Sequence, residues 1–314
     1  MYIEHHSTLA RQSRYPRVEP ALESLLSQSM LRAEVMDDLY HCGTRFIEEP
    51  RYPCGVFHLI GAGLCEVEGP ALDETLYLQP GDLVVFPHGD PHRLRASPNS
   101  DAASTSMICG ELHFSSHGQH PLKHALPDCF VVRAEQADAM FRNLSAMMIE
   151  MASAKLPGRQ VLLNKLADTL FTLAVCDYAH RHADRRGLFT ALADARICKV
   201  LHAVHEHPGR PWTMQAMASL ACMSRSAFAE RFAQLMKVPP MQYVTQWRVS
   251  IAERLLHDRQ RSVASIAEQL GYSSEAAFRR LYKRVSGTCP GRVRAAGNLL
   301  SGASTGGHSL FPTA

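Results

Sequence analysis

Met214-Gln-Ala-Met-Ala-Ser-Leu-Ala-Cys-Met-Ser-Arg-Ser-Ala-Phe-Ala-Glu-Arg-Phe232 and Ser262-Val-Ala-Ser-Ile-Ala-Glu-Gln-Leu-Gly-Tyr-Ser-Ser-Glu-Ala-Ala-Phe278 are two versions of one pattern. Each reads as a short amphipathic helix, a turn, and a second helix with aromatic residues one turn apart. In the first version Cys222-Met223 is the turn and Ser224 caps a helix running to about Met236. In the second Gly271 supplies the turn, and Ser273 or Ser274 caps a helix ending near Ser286-Gly287. Ala218 and Ala267 match at places where helices must approach closely, and Phe228/Phe232 match Phe278/Tyr282. One such unit is an ordinary helical hairpin. Two in tandem, over 212–236 and 262–286, predict a pair of helix-turn-helix readers of double-stranded DNA.

Charge points the same way. Residues 196–294 hold 16 Lys/Arg against 6 Asp/Glu, while the rest of the chain holds 17 against 24. A basic module suited to a phosphate backbone is therefore joined to an acidic one.

Helix geometry assigns roles within the basic module. Phe228, Phe232 and Leu235 face the core of the first reader, which turns Arg225, Ser226, Ala229 and Glu230 toward a groove. Phe278, Leu281, Tyr282 and Val285 do the same in the second, leaving Glu275, Ala276, Arg279 and Arg280 outward. Arginine bonds guanine bidentately and glutamate accepts from cytosine. Lys237, Arg248, Lys283 and Arg284 are cast as phosphate contacts, which position the protein without specifying sequence. The helix from Pro240 to His257 spaces the readers. Roughly 16 residues span about 24 Å, so both readers enter successive major grooves about 34 Å apart with some tilt or DNA bending.

Further residues carry a family resemblance: Met223-Ser-Arg-Ser-Ala-Phe-Ala-Glu-Arg-Phe232, Pro240-Met-Gln-Tyr243, Trp247-Arg248, Ala252-x-x-Leu-Leu256, Ile266-Ala267, Leu270-Gly-Tyr272, Phe278-Arg-Arg280 and Pro290-Gly-Arg-Val-Arg294. Together they resemble the AraC/XylS family of bacterial transcription regulators. The resemblance implies a homodimer that binds promoter DNA, with activation through RNA polymerase placed ahead of repression, and an N-terminal domain that senses a small-molecule or oxidant signal.

The N-terminal half has a different texture. Residues 1–18 lack periodicity and are expected to be a flexible tail; from Pro20, Leu22, Leu25, Leu26 and Met30 share a helical face. Between Leu39 and Phe114, short β-like runs broken by Gly and Pro predict a small antiparallel barrel or sandwich. Gly81-Asp-Leu-Val-Val-Phe-Pro-His-Gly-Asp-Pro-His92 resembles the second signature of the cupin barrel. The first signature is incomplete, since His58 has no neighbouring partner histidine, and Ala96 stands where the second would end in Asn. His58, His88 and His92 are therefore expected to line a sensor cavity without an ion, and neither a metal nor a cofactor is expected.

Cys42, Cys54, Cys65 and Cys109 fall in the barrel region with His41, His58 and His113 nearby in sequence. A thiolate favoured by a neighbouring histidine is oxidisable, and Cys42 with Cys109 are the expected redox pair. From Ala134 to about His182 the period is helical: Phe141, Leu144, Met147 and Met148 form one stripe, and Leu162, Leu166, Leu170, Leu173 and Ala174 another. Such stripes more commonly just cover a barrel; the resemblance gives these helices a dimerisation role. His180–Gly187 reads as a linker, Leu188–His205 as the next helix, and 295–314 as a disordered tail.

At 314 residues and 46% hydrophobic, the chain has room for two soluble domains. No apolar run approaches the roughly 18 residues of a membrane span, no signal-peptide core is present, and nine cysteines lack Cys-x-x-Cys pairs; these features predict a cytoplasmic protein. The fold class expected is α+β: a cupin-like β-barrel with flanking helices over 19–183, then an all-α AraC-type DNA-binding domain with two helix-turn-helix motifs over 184–294. A non-enzymatic regulator is the reading preferred. The alternative is a metal-dependent cupin enzyme with an appended DNA-binding module.

Overall fold

The computed structural model describes residues 19–28, 31–98, 105–114, 121–181, 187–258 and 260–294; the tails expected over 1–18 and 295–314, and most of the expected linker, lie outside the described residues. Helix α1 (Glu19–Gln28) precedes strands β1 (Leu31–Cys42), β2 (Ile47–Glu49), β3 (Gly55–Ala62), β4 (Cys65–Glu68), β5 (Leu76–Leu78), β6 (Leu83–Phe86), β7 (His92–Ala96) and β8 (Thr105–Phe114). A short helix α2 (Pro121–Ala125), not anticipated from the sequence, leads to β9 (Phe130–Val132).

The strands form two antiparallel sheets, in the orders β1-β8-β3-β6-β9 and β2-β7-β4-β5. Among the described residues no ladder joins them, so the expected barrel is two facing sheets rather than a hydrogen-bonded ring. Val56, Ile60, Val84, Phe86 and Met107 of the larger sheet meet Cys65, Val67, Leu78 and Leu94 of the smaller. The opposite face of the larger sheet, Phe57, Leu59, Leu83, Val85, Ile108 and Leu112, lies under helices. Burial on both faces explains why β3, β6 and β8 read as nearly continuous apolar runs rather than alternating ones. β1 begins ahead of the expected Leu39. Its alternation of Ala33 and Val35 with Arg32 and Glu34 is a half-buried edge pattern masked by charge.

Helices α3 (Ala139–Ser153) and α4 (Arg159–Arg181) cover that sheet. The Asp138 carboxylate accepts from the Phe141 amide and starts α3. Gln160, Asn164 and Asp168, four residues apart on α4, seal the free edge of β1: Asn164 accepts from Val35 N at 2.9 Å, Asp168 from Ala33 N at 2.6 Å, and Gln160 donates to Val35 O at 2.6 Å. That docking rotates the apolar face from the one expected. Leu163, Ala167, Leu170 and Phe171 are buried, whereas Leu162 is 45% exposed; on α3, Met147 is 50% exposed.

The single helix expected over Leu188–His205 is two, α5 (Leu188–Ala193) and α6 (Ile197–Glu206). Asp194 breaks it, because its carboxylate accepts from the Arg196 and Ile197 amides, both at 3.0 Å. α1 packs on α6, with Ser24 Oγ donating to Glu206 Oε1 at 2.7 Å.

Helices α7 (Met214–Leu220), α8 (Arg225–Met236), α9 (Pro240–His257), α10 (Val263–Gln269) and α11 (Glu275–Ser286) follow among the described residues. The repeat is atomic. Thr213, Ser224, Ser262 and Ser274 each cap a helix through a side-chain oxygen accepting from the amide three residues on. The turns match as well: Met223 N donates to Ala218 O at 3.0 Å and Tyr272 N to Ala267 O at 2.9 Å. Cys222 (φ 52°) and Gly271 (φ 76°) make the left-handed step, and Lys237 (φ 60°) and Gly287 (φ 75°) end the second helices. α9, at 18 residues, spans about 27 Å, slightly more than expected.

Gly271 also lies against the backbone of the loop before α7: a Cβ there would stand 2.2 Å from Gly209 O, whereas one at Gly287 would meet nothing within 4 Å. Gly271→Ala is expected to lower the melting temperature clearly more than Gly287→Ala, whose cost is the roughly 1–2 kcal/mol of left-handed strain alone. Thermal unfolding of both full-length variants checks this, and equal shifts would contradict the close approach.

Candidate nucleic-acid interface and barrel interior

Arg225 and Ser226 are exposed in the first turn of α8, Glu230 is exposed one turn later, and Ala229 is half-buried. Gln234 donates to Glu230 Oε1 at 3.2 Å, adding a second long polar side chain that the sequence reading passed over. On α11, Ala276, Arg279 and Arg280 are exposed. Arg279 is drawn to Glu275 at 2.6 Å, which leaves Arg280 as the arginine of that surface without an ion pair among the described residues. Lys283 and Arg284 occupy the last turn, where positive charge complements the helix dipole, and Lys237 is exposed at the end of α8.

Arg248 is a correction. Its Nε donates to Pro208 O at 2.7 Å and an Nη to Arg210 O at 2.8 Å, and its guanidinium lies over the Tyr272 ring, 5.4 Å from the centroid. The side chain expected on a phosphate instead ties α9 to the loop that meets Gly271. A five-donor fork satisfies fixed carbonyls as readily as phosphate oxygens, so charge alone did not separate the two.

Between the sheets, the β3–β8 register places His58 opposite Cys109. His58 Nδ1 stands 3.1 Å from Cys109 Sγ, His58 Nε2 is 2.8 Å from His92 Nε2, and His92 Nδ1 is 2.9 Å from Asp90 O. Phe86 stacks on the His92 ring at 3.9 Å. The three side chains are 1%, 3% and 2% exposed for His58, His92 and Cys109. Burial, then the neighbouring His92, holds the His58 pKa well below the usual imidazole value; burial lowers that of His92 to about 4. Both rings are therefore neutral near pH 7.

Neutrality and one carbonyl determine every proton in this chain. Asp90 O only accepts, so His92 Nδ1 carries a hydrogen and His92 Nε2 accepts. His58 Nε2 must then donate to it, which leaves His58 Nδ1 as an acceptor facing the Cys109 thiol. The result is a cysteine whose proton points at a base, aligned by a second imidazole. Beside it, Tyr52 donates to Glu49 Oε2 at 2.6 Å, a buried polar pair not foreseen from the sequence.

Cys42 and His88 do not join this group. Cys42 lies opposite Thr105 on β8, four residues from Cys109, or roughly 13 Å along the strand, whereas a disulfide needs Cα atoms about 4.4–6.8 Å apart. Burial pushes the Cys42 thiol up to about 11, contrary to the expectation of a favoured thiolate, and its charge would act on Cys65. His88 Nε2 is 3.2 Å from Leu126 O, turned away from His58 and His92.

Comparison with known proteins places both halves. The cupin family matches residues 21–180, and the helix-turn-helix domain family matches residues 217–296. The chain is 28% identical over 241 residues to the Escherichia coli K12 RCS-specific HTH-type transcriptional activator RclR, covering 76% of this chain and 83% of the relative. It is 27% identical over 263 residues to a putative AraC-like transcription regulator of Streptomyces lividans, covering 76% and 86%. It is 30% identical over 236 residues to the HTH-type transcriptional regulator AlkR of Acinetobacter baylyi, covering 65% and 76%. All three are named as regulators, which favours that reading over an enzyme carrying a DNA-binding module. No helix among the described residues is long and apolar enough to cross a membrane. The chain thus belongs to the AraC-type transcription regulators, built from a cupin sensor-like domain followed by a DNA-binding domain with two helix-turn-helix units.

Proposed function

We propose that residues 19–183 sense an oxidant at Cys109 and that residues 184–294 read a promoter in the cytoplasm through α8 and α11. The observation that carries the sensor reading is the buried run Cys109–His58–His92–Asp90, which orients a thiol onto a neutral base and has no evident purpose in a purely structural core. The output is activation, as the name of the Escherichia coli relative suggests, and RNA polymerase is the partner it would act through. The protein acts as a homodimer through the faces of α3 and α4 that carry exposed Met140, Met147, Val161 and Leu162.

The chemistry is a two-electron oxidation by HO–X, a peroxide or a hypohalous acid. Cys109 yields its proton to His58 Nδ1, the sulfur takes the HO group, and X leaves as an anion. The Cys42 thiol then attacks the sulfenic sulfur, forming S–S, breaking S–O and releasing water. Since Cys42 and Cys109 are out of bridging reach, the second step requires the end of β1 to leave β8. The two bulges in that ladder, between Val35 and Asp37 and between Asp37 and Tyr40, already weaken it.

After hydrogen peroxide or hypochlorous acid, non-reducing peptide mass spectrometry of the full-length protein should find a Cys42–Cys109 bridge. His58→Asn should slow modification of Cys109 roughly tenfold or more. A Cys109→Ser variant that drives a reporter promoter in response to oxidant like the wild type would refute the sensor assignment.

For DNA, Arg280→Ala should cost on the order of 1–3 kcal/mol of operator affinity and relax preference at one base pair. Binding measured against single-base operator variants distinguishes this from a phosphate contact, whose loss would weaken all sequences equally.

A further inference from the structure

The inner face of β8 continues beyond Cys109. Side chains alternate along a strand, so Glu111 and His113 point to the same side as Cys109 and approach the open end of the sheets. Cys54, immediately before β3, arrives there from the neighbouring strand. A sulfur of Cys54, a carboxylate oxygen of Glu111 and a ring nitrogen of His113 all lie within 4.8 Å of one another. Glu34, opposite Glu111 on β1, stands just outside this trio: it is ion-paired with Arg32, and its Oε2 is 3.7 Å from His113 Nε2, close enough to turn in as a fourth donor.

Three features make this more than a surface cluster. Glu111 is buried, and Cys54 and His113 are half-buried. Glu111 Oε2 is 3.0 Å from His113 Nε2, a contact poorly angled for a hydrogen bond that nonetheless holds the Glu111 carboxyl below its usual range. The donors also combine one sulfur, one imidazole and two carboxylates, the mixed set favoured by zinc and its transition-metal neighbours and unsuited to magnesium or calcium. Four ligands of tetrahedral zinc stand about 3.3–3.7 Å apart, so the Cys54–Glu111–His113 trio needs only modest contraction, while Glu34 must turn from Arg32 to complete the set.

We propose that Cys54, Glu111, His113 and Glu34 bind a zinc-class divalent cation at the mouth of the cupin domain. The site is separate from the positions that the cupin signature supplies: His58 and His92 spend all four ring nitrogens on each other, Cys109 and Asp90. It also stands independently of the oxidant reading. Burial raises the Cys54 thiol to about 11, so the free thiol is protonated near pH 7 and metal binding releases that proton. Of the three negative charges then present, the cation offsets two, and Lys123 acts on Cys54 as a further positive charge. Bound there, the ion joins β1, β3 and β8 at one point.

The test uses reduced, metal-stripped full-length protein titrated with cobalt(II), a spectroscopic substitute for zinc. One equivalent should bind with a thiolate-to-cobalt charge-transfer band and the visible absorption of a tetrahedral ion. Cys54→Ser should abolish the band and weaken zinc binding at least on the order of 100-fold; Cys109→Ser should leave both intact. Glu111→Gln should keep the band while weakening affinity, and serves should Cys54→Ser fail to fold by circular dichroism. Absence of the band in the wild type, its survival in folded Cys54→Ser, its loss in Cys109→Ser, or unchanged affinity in Glu111→Gln would overturn the proposal.

Discussion

The register of β8 is the constraint on which the N-terminal half depends. β8 is held by ladders on both sides, to β1 and to β3, and it contributes to both cores. Its even-numbered Ile108 and Leu112 pack under the helices; its odd-numbered Met107, Cys109, Glu111 and His113 face between the sheets. A slip of one residue would bury the polar column beneath α4 and turn the apolar one between the sheets, so the packing under the helices fixes the placement of the chemistry. Cys109 meets His58 because Leu112 must meet the helices.

The C-terminal half rests on a different constraint, the spacing of two equal units. Each reader is bounded by a hydroxyl cap and a left-handed residue, so its length is defined by local hydrogen bonds rather than by packing alone. What joins the units is less local. Trp247 and Tyr243 of α9 are fully buried and touch His205, whose Nε2 is 2.7 Å from Tyr243 Oη, while Arg248 and the close approach of Gly209 to Gly271 tie the second turn to the loop before the first reader. The second reader is thereby held to the first through backbone contacts, and the distance between the recognition helices is determined by more than the length of α9.

The helical readers were legible in the sequence because caps, turn residues and aromatic spacing are short-range signals that survive without tertiary knowledge. β3, β4, β5, β6 and β8 were legible for the same reason; the short β2, β7 and β9 were not, and the Asp and Glu residues of β1 disguised an edge strand. The faces of α4 were not: Leu162 and Leu163 are adjacent, periodicity fits either, and only the polar seal on β1 by Asn164 and Asp168 decides between them. Among the site residues, His58, His92 and Cys109 were named, but as separate candidates; their hydrogen-bonded order depends on β7 facing β3 across the cavity. Cys42 was paired with Cys109 on chemical grounds that the register does not support, and Glu111 was passed over because a lone glutamate in an apolar strand has no short-range signature.

A chain of side chains leads from the sensor sheet to the first reader, and its composition bears on how the proposed switch would act. Phe130 on β9 packs against Tyr178 of α4 at 5.1 Å, Tyr178 against Phe189 of α5 at 5.5 Å, and Asp194, which ends α5, is bonded to Arg231 on α8 at 2.8 Å. The early links are buried and stiff; the last is a half-exposed ion pair, the weakest element of the series. α4 is fixed at its other end to β1 by Asn164 and Asp168. Withdrawal of the Cys42 end of β1 from β8 would thus pull on α4 through the Ala33–Val35 segment that stays bonded to Asn164 and Asp168, while leaving the aromatic contact of α4 with α5 in place. Motion of α4 would then be felt at α8, whereas α11 contacts only α9 and α10 among the closely packed helices. The physical expectation is a change in the angle between the two recognition helices, with the second as the fixed reference, rather than a rigid displacement of the whole reader.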